Sequence, residues 1–95
     1  MTHEQNRLVF RIHTIQRMFQ RHISKDDVSH ALQTGQTIED YPKDFPYPSR
    51  LVLGWCGLRP LHIVVAENKT TQETIVLTVY EPDPTQWDAQ FTRRL

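Results

Sequence analysis

At 95 residues, 38% of them hydrophobic, the chain is sized for one small domain, and a single core with no second domain is the expectation. Eleven basic side chains balance eleven acidic ones, so no overall field draws the protein to nucleic acid or to an anionic membrane, and any polyanion site must be local. Cys56 is the only cysteine, which excludes an internal disulfide and a CxxC-type zinc site and suits a reducing compartment.

The segment from Met1 to Arg7 lacks the apolar core of a signal peptide, and no apolar run is long enough to cross a bilayer. A soluble, cytoplasmic protein with no membrane contact is the expectation. A first helix is predicted over about Arg7 to Arg21, with Ile12, Ile15, Phe19 and Ile23 as the apolar stripe that meets the core. His13, Arg17 and Arg21 recur every four residues on a separate flank, suited to a phosphate or carboxylate or simply to solvent. Ser24-Lys25-Asp26-Asp27 reads as a capping box with Asp in place of Glu or Gln, and Ile23 and Val28 are spaced as a hydrophobic staple. A second helix therefore starts at Lys25 and stops before Gly35, which suits a left-handed C-terminal cap. The two helices form a hairpin.

Beyond Gly35 the pattern changes to strands at Thr37 to Tyr41, Arg50 to Trp55, Leu61 to Ala66 and Thr74 to Tyr80. Pro42 to Pro48, with three prolines and two aromatics, is a stiff loop. Turn-like residues at Cys56 to Pro60 and Asn68 to Thr71 make the last three strands an antiparallel meander. The tail after Pro84 is predicted as a short helix that docks through Trp87 and Phe91, four residues apart.

Alternation assigns the faces. Leu51, Leu53 and Trp55, then Leu61, Ile63 and Val65, then Ile75, Leu77 and Val79 form three apolar sets at period two, expected to pack together on the helices. That register leaves Arg50, Val52, His62, Val64, Val76, Thr78 and Tyr80 on the opposite face, unless a β-bulge breaks it. The fold class is thus α+β, an N-terminal helix hairpin on one face of a small antiparallel sheet with a short C-terminal helix.

An arginine holds phosphate through a forked pair of hydrogen bonds, a histidine moves a proton near neutral pH, and a tyrosine hydroxyl donates to a developing oxyanion. These are the needs of RNA cleavage by an internal 2′-hydroxyl, which requires neither metal nor cofactor. The alternative is structural: His62 and Tyr80 as half-buried sheet residues bonded to backbone or water, and Arg50 at the sheet edge. His3, His22 and His30 have no ligand-like spacing with a carboxylate or thiol, so no metal site is predicted. Cys56 has no base near it in sequence and is not read as a nucleophile.

The ordered set His13-xxx-Arg17-xxx-Arg21-x-Ile23-Ser-xx-Asp27-Val28, Gly35-xx-Ile38-xx-Tyr41, Arg50, Pro60-Leu-His62 and Thr78-Val-Tyr80-xx-Asp83 closely resembles a bacterial family called domain of unknown function 4258. The resemblance runs from about residue 12 to residue 87. That family looks like a distant branch of the RelE-like toxins, within the wider group of barnase, colicin-type and RelE-type RNases. It implies a single RelE-like domain over residues 1–95 and points to His13, Arg17, Arg50, His62 and Tyr80 as the catalytic group. In that reading Arg50 and Arg17 hold the scissile phosphate, His62 or His13 is the general base or acid, and Tyr80 orients the nucleophile or stabilises charge. The function expected is a metal-independent endoribonuclease, the toxin half of a toxin–antitoxin pair, with RNA and an antitoxin as partners. The rivals are a non-catalytic protein-binding module on the same fold and a small-anion or nucleotide binder.

Overall fold

The computed structural model describes residues 6–95, and His3 lies outside them. Strand β1 (Arg7–Phe10) leads into helices α1 (Ile12–Gln20) and α2 (Lys25–Gln33), followed by strands β2 (Gln36–Tyr41), β3 (Ser49–Cys56), β4 (Arg59–Asn68) and β5 (Glu73–Tyr80). The five strands form one sheet in the order β1-β5-β4-β3-β2, with β1 parallel to β5 and the other pairs antiparallel. Because β1 and β2 occupy opposite edges, the two helices carry the chain across one face, α1 over β5 and α2 over β3 and β4.

This corrects the fold class read from sequence: the domain is mostly sheet, mixed rather than antiparallel, with two nine-residue helices among the described residues. Arg7 to Phe10, assigned above to the first helix, pairs instead with Glu73 to Val76. No local signal announces that strand, because its partner lies some sixty residues away and β pairing is settled by that partner. The predicted C-terminal helix is also absent. Asp83 opens a turn by accepting from the Thr85 backbone, but the Asp88 carboxylate then accepts from the Thr92 and Arg93 N–H groups. Such side-chain competition replaces a helical ladder with a loop. Phe91, at φ 61°, reverses the chain so that Arg94 pairs back with Trp87.

The start of α2 is as the sequence predicts, with Ser24 and Asp27 exchanging both capping-box hydrogen bonds. Gly35 is not left-handed, in contrast to the cap expected of it. Its lack of a side chain serves a close approach, since a Cβ there would lie 2.5 Å from Val52 Cγ1. Gly54 is tighter still, with an added Cβ 2.2 Å from the Ala31 carbonyl oxygen, so α2 lies directly on the β3 backbone.

Met18, Ile23, Val28 and Ala31 close the helix side of the core on Val52, Leu61, Ile63, Val65, Val76 and Val79. Full burial of the Met, Leu, Ile and Val side chains among them contributes about 1.5–3 kcal/mol each. In β3 the phase is opposite to that predicted: Val52 pairs with Ile63 and faces the helices, while Leu51 and Leu53 pair with Val64 and His62 on the outer face. The bulky helix backbone above β3 needs Gly54 beneath it, and that single requirement puts the odd-numbered residues outward. A bulge at Val64/Val65 then shifts β5, so that Ile75 pairs with Ala66 and not with the helix-facing Val65. Among the described residues no helix is long and apolar enough to cross a membrane.

Gly54→Ala is expected to lower unfolding stability by about 1–3 kcal/mol, since overpacking against a fixed backbone carbonyl has no flexible neighbour to give way. A urea midpoint equal to the parent's would contradict the close contact with α2.

Candidate functional site

The five residues nominated from sequence do not form one site. His13 and Arg17 are exposed on α1. That helix is fixed to the inner side of the sheet by Met18 in the core and by a 2.9 Å bond from Thr14 Oγ1 to the Leu77 carbonyl. Arg50 also belongs to the helix side, because it pairs with Val65, and its guanidinium is bound to Glu67. There it borders a cleft of about 330 Å³ with Ser29 and Gln33 of α2 and Thr37 and Thr74 of the sheet. His62 and Tyr80 alone share the outer face, paired across β4 and β5.

Around them the fold collects two groups that sequence reasoning missed. Glu39 faces outward beside Leu51 after the bulge at Ile38 in β2, and Arg94 arrives from the returning C-terminal segment. Arg94 Nε lies 3.4 Å from Glu39 Oε2, and its guanidinium carbon stands 4.6 Å from the centre of the Trp87 ring. Tyr41 donates its hydroxyl to Glu39 Oε1 at 2.5 Å. That hydrogen bond, with help from Arg94, outweighs burial and holds the Glu39 carboxyl below its ordinary range. Glu39 at the end of a Glu-Asp-Tyr strand was open to nomination as a carboxylate, but nothing local announces that Arg94 would fold back onto it.

His62 is completely buried, roofed by Trp87 with ring centres 4.4 Å apart and edge-on to Tyr80 at 5.4 Å. Its Nε2 lies 2.8 Å from the Phe91 carbonyl oxygen, which only accepts, so Nε2 carries the proton. Nδ1 is left as the acceptor for the Tyr80 hydroxyl at 3.3 Å. Burial drives the pKa of His62 down, and the nearby positive charge of Arg94 adds to this, against the opposing pull of the Phe91 carbonyl and Glu39. Burial also raises the Tyr80 pKa, so its hydroxyl stays protonated and able to donate. The arrangement thus contains a neutral imidazole, a protonated phenol, a carboxylate and a guanidinium on one side of the sheet, closed over by residues 87–94.

The tail docking foreseen from Trp87 and Phe91 holds without a helix: Trp87 is buried, and the Phe91 ring meets Trp55 at 6.2 Å. Cys56 donates to Asp27 at 3.3 Å, and that carboxylate raises the thiol pKa, the opposite of what a nucleophile needs. Among the described residues no three His, Cys, Asp or Glu side chains gather in a way that would hold a metal ion. Residues 10–81 match the family model described as Domain of unknown function (DUF4258). No curated protein and no solved structure matches the chain.

Because the folded-state pKa of His62 lies below its unfolded value of about 6.5, the unfolded chain binds the proton more readily. Its contribution to stability is complete above pH 6.5 and is lost as the pH falls toward the depressed folded value. Thermal melts between pH 7.5 and 5.5 are expected to show a falling Tm in the parent and a flatter profile in His62→Gln. Equal slopes in the two proteins would mean that the imidazole is not sealed.

Proposed function

We propose, from the premise that the chain belongs to the family Domain of unknown function (DUF4258), that it is a metal-independent endoribonuclease of the RelE-like toxin class, acting in the cytoplasm. The observation that supports this reading is the gathering of Glu39, His62, Tyr80 and Arg94 on the outer sheet face. In it Arg94 replaces Arg50 and Arg17 as the group that holds the scissile phosphate, since only Arg94 lies on the same face as the imidazole. The Glu39 carboxylate takes the 2′-hydroxyl proton, the 2′-oxygen bonds to phosphorus, and the bond to the 5′-oxygen breaks. The Tyr80 hydroxyl, hydrogen-bonded to His62 Nδ1, supplies the proton that the departing 5′-oxygen requires, and Glu39 returns one through water. RNA as substrate and an antitoxin as protein partner belong to this reading.

Trp87 and Phe91 cover the imidazole, so His62 acts from beneath them through its bond to the Tyr80 hydroxyl, while Arg94 stays beside Glu39. Residues 87–94 are held by the His62–Phe91 bond, the Trp87 ring and the Arg94–Glu39 pair, which keeps the exposed Arg94 guanidinium on the face where the phosphate would bind. A second reading, a non-catalytic binding module, is favoured by the same seal: both ring nitrogens of His62 are already engaged by the protein.

The test uses a labelled RNA oligonucleotide and the full chain in the presence of EDTA. Cleavage to products ending in 2′,3′-cyclic phosphate is expected, with Glu39→Gln and Arg94→Gln each slowing it by about a hundredfold or more, the scale of general acid–base and charge-stabilising groups. Arg50→Gln, altered on the other side of the sheet, should cleave at the parent rate. Absence of cleavage, together with absence of growth arrest on induced expression, would return the domain to the binding-module reading.

A further inference from the structure

Helix α1 packs with the wrong stripe from the standpoint of hydrophobicity. Its core-facing residues are Thr14 and Met18, while Ile12, Ile15 and Phe19 are 77%, 37% and 83% exposed. Their spacing of three and four residues places them in one row along two turns of the helix. Polar fastenings set this rotation: Thr14 bonds to the Leu77 carbonyl, and Arg21 Nη1 donates to the Val79 carbonyl at 2.7 Å. Both lock α1 to β5 with its most apolar row turned away. An uncovered row of this size on a short helix is the pattern of a helix-in-groove or helix-on-helix contact.

Charge indicates what covers it. From Asn6 to Lys25 the chain carries Arg7, Arg11, Arg17, Arg21 and Lys25 and no acidic residue, while all eleven acids lie elsewhere. This stretch is therefore basic along the chain, and its α1 part contributes Arg17 with Arg21 at the helix end. Arg7 is paired with Glu73, Arg21 is spent on a backbone carbonyl and Arg11 borders the loop at Asp44 to Tyr47, but His13 and Arg17 on α1 have no carboxylate partner among the described residues. The exposed surface of α1 thus carries an apolar row on one flank and His13 and Arg17 on the other, with Gln16 and Gln20 between them. We infer that this surface docks an acidic amphipathic segment of another protein, whose apolar row covers Ile12, Ile15 and Phe19 and whose carboxylates pair with Arg17. A second copy of α1 fits poorly, because a symmetric contact would set the basic flanks of the two helices against each other. Three side chains on one short helix also offer little apolar area for holding a bilayer. The inference is independent of the RNA chemistry proposed above, whose groups lie on the opposite face of the sheet.

The full chain is titrated with short synthetic amphipathic helices carrying Leu on one face and Glu on the other, and with matched helices in which Lys replaces Glu. Binding of at least one acidic helix is expected, weakening as salt is raised. The double variant Ile12→Ser/Phe19→Ser should weaken it by about tenfold or more, as removal of interface anchors does, with an unchanged melting transition since both side chains are exposed. Arg17→Gln should weaken binding less and flatten its salt dependence. The inference is overturned if no acidic helix binds, if the Lys-bearing helices bind equally well, or if the double variant binds like the parent. It is overturned equally if the two substitutions instead abolish flotation with phosphatidylserine vesicles or self-association of the chain without peptide.

Discussion

A strand covered on both sides must satisfy two layers at once, and β4 sits at the centre of this sheet under that constraint. Leu61, Ile63 and Val65 point to the helices and are completely buried, while His62 and Ala66 point outward and are also buried. The apolar residues need only volume and shape. His62 needs partners, because an imidazole removed from water loses several hydrogen bonds' worth of solvation unless both nitrogens are satisfied. Its two partners, the Phe91 carbonyl and the Tyr80 hydroxyl, tie the C-terminal segment to the sheet. Removing the segment would expose a neutral imidazole, and removing the imidazole would leave the segment with only Trp87, the Arg94–Glu39 pair and the edge contact of Phe91 with Trp55. The outer layer is therefore held by side chains and single hydrogen bonds, whereas the inner layer is two helices, the second started by a capping box, on an apolar floor.

The same sheet separates two chemistries. On the outer side, Glu39, Tyr41, His62, Tyr80 and Arg94 influence one another's protonation through hydrogen bonds and charge at short range. On the inner side, His13 and Arg17 lie on an exposed helix whose other flank is an apolar row. Neither feature follows from net charge, which is zero. A neutral total here conceals a separation of charge along the chain, and the separation matters for association because attraction between surfaces is local on the scale of about 10 Å at moderate ionic strength.

The orientation of α1 shows how a polar contact outranks periodicity. An apolar stripe at helical spacing ordinarily faces the core, and here it faces solvent because Thr14 and Arg21 reach backbone carbonyls of β5 that would otherwise lack partners from the helix layer. Met18 alone supplies the apolar contact of that helix with the core. The arrangement leaves α1 weakly packed for its length and makes its outer row available.

What the amino-acid order decided by itself was local. The Ser24-to-Asp27 capping box starts α2 because its two hydrogen bonds close within four residues. The four strands after Gly35 lie where alternation and turn residues place them, and Trp87 is buried as a large aromatic near a chain end tends to be. Of the site, only the pairing of His62 with Tyr80 was legible, since one antiparallel register with a short turn connects them. The remainder was decided by contacts between residues far apart in sequence. The β1 strand exists because β5 offers it an edge, the phase of β3 is set by the fit of Gly54 beneath Ala31, and Arg94 reaches Glu39 only because Asp88 and Phe91 turn the tail back. Period-two alternation reports that a strand has two faces but not which one a distant helix will cover, and that choice carried Arg50 to one side of the sheet and His62 to the other.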